Sequence, residues 1–256
     1  MKLVVRFIVV VLCVPLIGIP GGQLSAAELA DTIEQVKPSI VGIGTYMPTR
    51  RPPHRLLGTG FVVGEGRLVL TNNHVISLDL DEAKGERLAV FAGHGRNPLR
   101  LSAKVVAKDE AHDIAVLSIP ESLPALQLAT NSGIREGDLV AFTGFPIGAV
   151  LGLYPVTHRG IIASITPVAI PSSSSKLLSP QKIKRLRKPF PVYQLDATAY
   201  PGNSGSPLFL PDSGAVIGIL NMVHVKATKE DVLSKPSGIS FAIPIEHAVN
   251  AMSRVK

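Results

Sequence analysis

The chain has 256 residues, of which 46% are hydrophobic and 18% are charged, a composition that excludes an intrinsically disordered protein and favours a packed globule. It carries a formal net charge of +7 and a single cysteine, Cys13. One cysteine excludes a domain held together by disulfides and a cysteine-rich metal site.

The first 27 residues have the pattern of a secretory signal peptide. Lys2 and Arg6 precede an apolar run over residues 7–19, and small residues at positions 25–27 predict cleavage after residue 27. The alternative, an uncleaved membrane anchor, is less favoured because a run of about 13 residues interrupted by Pro15 is shorter than the ~20 needed to span a bilayer. We therefore expect an exported protein, in the bacterial periplasm or outside the cell.

The first half of the mature chain is predicted to be rich in strands. A polar helix is expected over residues 28–36, ended by Pro38. The Pro- and Arg-rich residues 48–54 are predicted to form an exposed loop, and the acidic residues 79–86 a solvated loop. Apolar runs separated by turn signals predict a first group of strands within about residues 38–120, at 39–46, 59–63, 67–71, 87–91, 101–107 and 113–119.

Residues 121–134 contain turn signals and predict a crossover to a second group of strands, over about residues 135–245. That group begins with runs at residues 138–143 and 157–165. Pro244 suits the first turn of a closing helix. Residues 28–256, about 229 in number, are enough for one all-β domain of two barrels, since such folds occupy roughly 200 to 250 residues.

Residues 167–191 form an unusual insertion in the second group. They have no periodic apolar face, which predicts a mobile loop. The insertion could recognise an acidic partner, namely an acidic polypeptide, an anionic membrane surface or a nucleic acid, or it could be a solvated charged loop. We favour the solvated loop and expect no nucleic-acid partner. Its five basic residues are Lys182, Lys184, Arg185, Arg187 and Lys188.

A serine between glycines is the strongest chemical signal in the chain. Ser204 lies in Tyr-Pro-Gly-Asn-Ser-Gly-Ser-Pro-Leu, residues 200–208. Gly202 and Gly205 allow the sharp backbone that an exposed nucleophile requires, and the amides of Gly202 and Ser204 are candidate oxyanion donors. The alternative is an ordinary Pro-Gly-Asn turn between two strands.

Two upstream residues supply the partners that a serine nucleophile needs. His74 follows an apolar run at the point where a strand is expected to end, and Asp113 opens the apolar run Ile-Ala-Val-Leu. A single histidine at a strand end, or a single aspartate before an apolar run, more often has a structural role than a catalytic one. Their order along the chain, His74, Asp113, Ser204, is the order of the chymotrypsin triad, which favours a catalytic role for all three.

These motifs resemble those of the trypsin-like serine proteases of the HtrA (Deg) group. The resemblance covers most of residues 38–245, through segments 58–63, 70–75, 113–117, 144–148, 159–162, 194–197, 201–208 and 238–244. It implies two six-stranded antiparallel β-barrels of the chymotrypsin type with a short C-terminal helix, and a site in the cleft between barrels. Ser206 stands where the group usually has glycine, and no C-terminal PDZ domain is expected.

The resemblance implies an exported serine endopeptidase acting through an acyl-enzyme, in protein quality control or processing. Asp113 would orient His74, and His74 would take the proton of Ser204; no metal or cofactor is expected. The alternative is a latent or inactive protease fold that binds polypeptides like a chaperone; the intact triad favours the endopeptidase, and Ser206 and the missing PDZ domain keep the alternative open. Protein or peptide substrates are the expected partners, and a homo-oligomer stays open.

The resemblance also implies where the substrate side chain before the cleaved bond would bind. None of the residues expected to line this pocket is a carboxylate that would attract Lys or Arg, so a small or medium apolar side chain is predicted. The expected lining residues are Thr198, Ala199, Asn221, Met222 and Val223.

Overall fold

The computed structural model describes residues 26–95, 97–130, 133–146, 153–167, 189–221 and 239–255. The predicted signal peptide, apart from the backbone of its last two residues, lies outside the described residues. So do most of the basic insertion, including all five of its basic residues, and the predicted pocket residues Met222 and Val223.

The first group of strands forms one antiparallel sheet of seven strands. Its two edge strands, β5 and β6, are successive segments separated only by Ala103, so the sheet curls round on itself. The single strand predicted at residues 101–107 is therefore divided, since its first half pairs with β4 and its second half with β7. The strands are β1 Ile40–Tyr46, β2 His54–Val63, β3 Leu68–Asn72, β4 Arg87–Ala92, β5 Leu99–Ser102, β6 Lys104–Asp109 and β7 Ile114–Ser118, in the order β5-β4-β1-β2-β3-β7-β6.

The second group of strands closes into a six-stranded antiparallel barrel. The predicted all-β fold of the chymotrypsin type is thereby confirmed, with the first unit a curled sheet of seven strands rather than six. The barrel strands are β8 Leu139–Gly144, β9 Val156–Pro167, β10 Pro191–Asp196, β11 Pro207–Phe209, β12 Val216–Asn221 and β13 Ile239–Pro244, in the order β10-β13-β12-β11-β8-β9.

Among the described residues, three short α-helices accompany the sheet and the barrel. They are α1 Ala26–Val36, α2 Asn73–Ile76 and α3 Ile245–Met252. Helix α3 follows Pro244, as predicted, and buries Ile245, Ala248 and Ala251 at spacings of three residues, which lie on one face of a helix. Helix α1 is tied to the second barrel by the hydroxyl of Thr32, which donates a hydrogen bond to the carbonyl of Pro211 at 2.8 Å.

The largest apolar cluster among the described residues joins the curled sheet to the barrel. Phe61 and Ile114 of the first unit share it with Phe145, Phe209 and Ile243 of the second, and all five are at most 2% exposed. Burial of each such side chain contributes about 1.5 to 3 kcal/mol, so the barrels are held in a fixed relation and a site between them is rigid.

The acidic segment predicted to be solvated is anchored at its end by Glu86, which is only 9% exposed. Its Oε1 atom accepts hydrogen bonds from the hydroxyl of Thr45 at 2.6 Å and from Arg50 at 2.7 Å. The expectation of an exposed loop was likewise wrong for Arg50, which also donates to the carbonyl of Pro53. The two loops are therefore held against β1 by a partly buried ion pair.

This network makes stability depend on pH. Hydrogen bonds from Thr45, Arg50 and the amide of Asp81 lower the pKa of Glu86 to about 2. Because the folded pKa lies below the unfolded value, the contribution is complete above about pH 4.5 and is lost as pH falls towards 2. Between pH 7 and pH 3, we expect the free energy of unfolding measured in urea to fall by about 1 kcal/mol more in the wild type than in Glu86→Gln. Equal pH dependence in both proteins would contradict this expectation.

Candidate active site

His74 lies on α2, which begins directly after β3. Its backbone N–H donates to Oδ1 of Asp113 at 2.9 Å, and its ring Nδ1 lies 2.6 Å from Oδ2 of the same carboxylate. A carboxylate only accepts, so Nδ1 carries the proton and Nε2 is left as the basic nitrogen. The imidazole is thereby held in one orientation, while 42% of the side chain remains exposed on its other side.

Asp113 precedes β7 rather than opening it as predicted. It has a left-handed backbone with φ of +56°, a conformation that Asp and Asn tolerate better than most residues. Its carbonyl oxygen accepts from the amide of Asn73 at 3.0 Å and from the side chain of Asn72 at 3.2 Å. The turn that carries Asp113 is therefore hydrogen-bonded to the residues directly before His74.

Asn221, at the end of β12, joins this pair to the serine loop. Its Nδ2 donates to Oδ2 of Asp113 at 2.9 Å. The preceding residue, Leu220, accepts from the amide of Gly205 and donates to the carbonyl of Ser206, both at 2.9 Å. One strand end thus holds the Asp113 carboxylate and the loop around Ser204 in a fixed relation.

The loop that carries Ser204 is built from two tight turns. The amide of Asn203 donates to the carbonyl of Tyr200, and the amide of Ser206 donates to that of Asn203, both at 3.0 Å. Gly202 has φ of +100° and Gly205 has φ of +88°, conformations that side chains other than glycine rarely adopt. Ser204 between them is 8% exposed.

Gly58 on β2 brings the serine loop and helix α2 close together. A Cβ atom at Gly58 would lie 2.9 Å from the side chain of Val75, the residue after His74, and 3.0 Å from the carbonyl oxygen of Ser204. Within the described parts of the chain, no hydrogen bond joins the Ser204 hydroxyl to the His74 ring.

The predicted oxyanion donors have no competing partner in the part of the chain that the structure describes. Among the described residues, the amides of Gly202 and Ser204 donate to no other group. No described group therefore competes with an anion for these two amides. The same part of the chain has no group of three His, Cys, Asp or Glu side chains that could hold a metal ion.

The predicted substrate pocket is described only in part. Thr198 is partly buried, and Ala199 is 8% exposed and packs in the core of the second barrel. The side-chain amide of Asn221 donates to Asp113, and its position in the sequence does not indicate this contact.

Ser206 is accommodated by a glycine on the neighbouring strand. A Cβ atom added to Gly144 of β8 would overlap Oγ of Ser206 and would lie 2.9 Å from Oγ1 of Thr59 and 3.0 Å from Oδ1 of Asn203. The missing side chain at Gly144 therefore supplies the space that the hydroxymethyl group of Ser206 fills.

We expect Gly144 and Ser206 to be energetically coupled. Gly144→Ala alone should lower the free energy of unfolding by about 2 to 3 kcal/mol through overpacking. In a Ser206→Gly background the same change should cost about 1 kcal/mol less, because the main overlap is gone. Urea unfolding of the four proteins measures this coupling, and strictly additive effects would contradict the packing explanation.

A match to a known family decides the relationship. The family model described as "Trypsin-like peptidase domain" matches residues 58–219, which include Ser204, His74 and Asp113. The chain belongs to the trypsin-like peptidase family.

Curated relatives point to the HtrA/DegP group within this family. A protein named "Probable periplasmic serine endoprotease DegP-like" from Halomonas elongata is 30% identical over 244 residues, which cover 93% of this chain and 44% of the relative. One of the same name from Pseudomonas fluorescens is 31% identical over 273 residues, covering 90% of this chain and 50% of the relative. The chain spans about half or less of the length of these relatives.

Solved structures agree with the curated relatives. "HtrA-type protease AlgW with tripeptide" is 27% identical, with a TM-score of 0.62, over 88% of this chain and 62% of that one. "Crystal structure of Deg5" is 25% identical, with a TM-score of 0.61, over 89% and 93%. The predicted relationship to the HtrA group is confirmed.

Proposed function

We propose that this trypsin-like peptidase is an exported serine endopeptidase that acts on proteins in quality control or processing. The observation that carries the proposal is the double hydrogen bond between His74 and Asp113, which fixes the imidazole with its proton on Nδ1. Two further observations support it: the carbonyl of Ser204 lies close to helix α2, and the amides of Gly202 and Ser204 donate to no group within the described ranges.

The chemistry follows from these positions. Nε2 of His74 takes the proton of the Ser204 hydroxyl as Oγ attacks the carbonyl carbon of the peptide bond. The resulting oxyanion accepts hydrogen bonds from the amides of Gly202 and Ser204. The imidazolium, stabilised by Asp113, gives its proton to the leaving amine. Water then attacks the acyl carbon as His74 takes its proton; the bond to Oγ of Ser204 breaks, the imidazolium returns the proton to Oγ, and the carboxylic acid product leaves.

Specificity and location belong to the same proposal. The described pocket residues Thr198 and Ala199 carry no charge, which supports a small or medium apolar side chain before the cleaved bond. Two relatives are named as periplasmic endoproteases, which supports export. No helix among the described residues has the length and apolar character to cross a membrane.

One observation favours a second candidate function, a latent protease fold that binds polypeptides. The hydroxyl of Ser204 makes no hydrogen bond to His74 within the described residues. In the free form of an active enzyme this bond is often long and shortens when substrate binds, so we retain the endopeptidase as the conclusion.

The test is to incubate the purified protein and Ser204→Ala with a fluorophosphonate probe and with a loosely folded protein substrate. We expect the probe to label Ser204, as located by mass spectrometry, and cleavage to be lost in Ser204→Ala. A folded wild-type protein that is neither labelled nor active would overturn the endopeptidase in favour of the latent form.

A further inference from the structure

Thr59 on β2 contacts both residues whose amides are the candidate oxyanion donors. It is fully buried. Its backbone N–H donates to the carbonyl of Ser204 at 2.9 Å, and its hydroxyl donates to the carbonyl of Gly202 at 2.7 Å. A single residue of the first unit therefore holds the serine loop through two of its carbonyl groups.

The direction of the hydroxyl bond is fixed by its neighbours. The amide of Phe145, just after β8, donates to Oγ1 of Thr59 at 3.0 Å. An amide N–H can only donate and a carbonyl can only accept, so the one hydroxyl proton of Thr59 must be directed at Gly202. The hydroxyl thus links a segment of the second barrel to the serine loop through the first unit.

Gly202 is the residue of the loop that most needs such a restraint. Without a side chain it can rotate between several backbone conformations, and its φ of +100° is only one of them. Pro201 restricts rotation on the preceding side through its ring. On the following side, the peptide plane between Gly202 and Asn203 is held at its carbonyl by the bond from Thr59 and at its N–H by the bond to the carbonyl of Tyr200. With this plane held, there is less freedom for rotation about the two backbone bonds of Gly202, which link it to the peptide that carries the Gly202 N–H.

We propose that Thr59 is a positioning residue that keeps the oxyanion site preformed, an inference that rests on the proposed endopeptidase function. Because Thr59 is fully buried and its hydroxyl is bonded to the Gly202 carbonyl, it acts through the Gly202 amide, which stabilises charge mainly in the transition state. Its loss should therefore lower kcat and leave KM nearly unchanged.

The kinetic test compares Thr59→Val, which keeps the shape and removes the hydroxyl, with Thr59→Ser, which keeps the hydroxyl. We expect kcat to fall about 10- to 100-fold in Thr59→Val, with KM within about 3-fold of wild type, and the affinity for a peptide boronate to fall in parallel. Thr59→Ser should stay within about 3-fold of wild type in all three. Equal losses in the two variants, or an unchanged kcat in Thr59→Val, would overturn the inference.

A matched control separates positioning from stability. Thr32, on helix α1, has a buried hydroxyl that donates to the carbonyl of Pro211 at 2.8 Å. Thr32→Val should lose a similar hydrogen bond and keep the wild-type kcat. If Thr32→Val lowers kcat as far as Thr59→Val, the effect is general destabilisation and the inference fails.

A crystallographic measurement does not depend on turnover. In crystals of the wild type and Thr59→Ser, the Gly202 carbonyl should point at residue 59, whereas in Thr59→Val the peptide after Gly202 should rotate. An unrotated peptide in Thr59→Val would overturn the role of Thr59 whatever the activity. If the peptide rotates only in Thr59→Val and the fluorophosphonate probe does not label the wild type, the proposed function is overturned. The role of Thr59 in positioning the loop would still hold.

Discussion

Asp113→Asn should lower kcat about 10⁴-fold while leaving the fold intact. The carboxylate accepts three hydrogen bonds, from the amide and ring of His74 and from Asn221. An asparagine side chain must present an NH₂ group to at least one of these donors. The His74 ring would then adopt the tautomer with its proton on Nε2, which cannot take the proton of Ser204.

The backbone should tolerate this substitution. Asn adopts the left-handed conformation at φ of +56° as readily as Asp does, so the turn before β7 should keep its shape. The measurements are kcat with a peptide substrate and the rate of fluorophosphonate labelling at Ser204. A loss of less than about 10-fold would contradict the assigned role of the carboxylate.

Asp109 offers a matched control for Asp113→Asn. Its carboxylate accepts from the amide of His112 at 3.1 Å and lies 2.9 Å from the His112 ring nitrogen Nδ1, the same arrangement as in the Asp113–His74 pair. The His112 ring stacks on His247, with ring centroids 3.9 Å apart. Asp109→Asn should change kcat by less than about 3-fold. If kcat fell by a similar factor in Asp109→Asn and Asp113→Asn, the loss would come from disturbing the turn between β6 and β7 and not from the His74 ring.

Gly205→Ala should destabilise the protein by about 3 to 5 kcal/mol and abolish activity in the residual folded fraction. A Cβ atom at Gly205 would overlap the carbonyl oxygen of Thr59 and lie 2.5 Å from Oγ1 of Thr71. The strain of φ at +88° adds about 1 to 3 kcal/mol, and forcing the loop away from β2 adds a similar amount. Displacing the loop also breaks the bonds that hold Ser204 and Gly202 to Thr59.

Gly64→Ala separates these two contributions. Gly64 also has a positive φ, +62°, but a Cβ atom there would meet nothing within 4 Å. Its substitution should therefore cost only about 1 kcal/mol of backbone strain. Urea unfolding of the two variants measures the difference, and similar costs at both positions would show that close packing against Thr59 contributes little.

Some features of this protein were predictable from local sequence. Unbroken apolar runs identify most strands, because each strand is buried on at least one face. The order of His74, Asp113 and Ser204 and the glycines around Ser204 indicate the chemistry, since a serine nucleophile requires a base, a carboxylate and a sharp turn. Segments matching the HtrA group identify the family over most of the chain.

Other features depend on partners that are distant in the chain. Glu86 lies in an acidic segment that reads as solvated, yet it is buried because Thr45 and Arg50 bind it from another loop. The strand predicted at residues 101–107 is continuous in its apolar pattern, but pairing with two different neighbours divides it at Ala103. Neither the burial of Glu86 nor the division at Ala103 can be predicted from the propensities of the neighbouring residues.

The same distinction holds within the site. The sequence alone determined which side chains could do the chemistry, because nucleophile, base and orienting carboxylate are limited by residue type. Which groups position them depends on the fold: Asn221 reaches Asp113 from 108 residues away, and Thr59 reaches Gly202 from 143 residues away. Hydrogen bonds of this kind join backbone and polar side chains that become neighbours only when the curled sheet and the barrel have both formed, so no local sequence pattern predicts them.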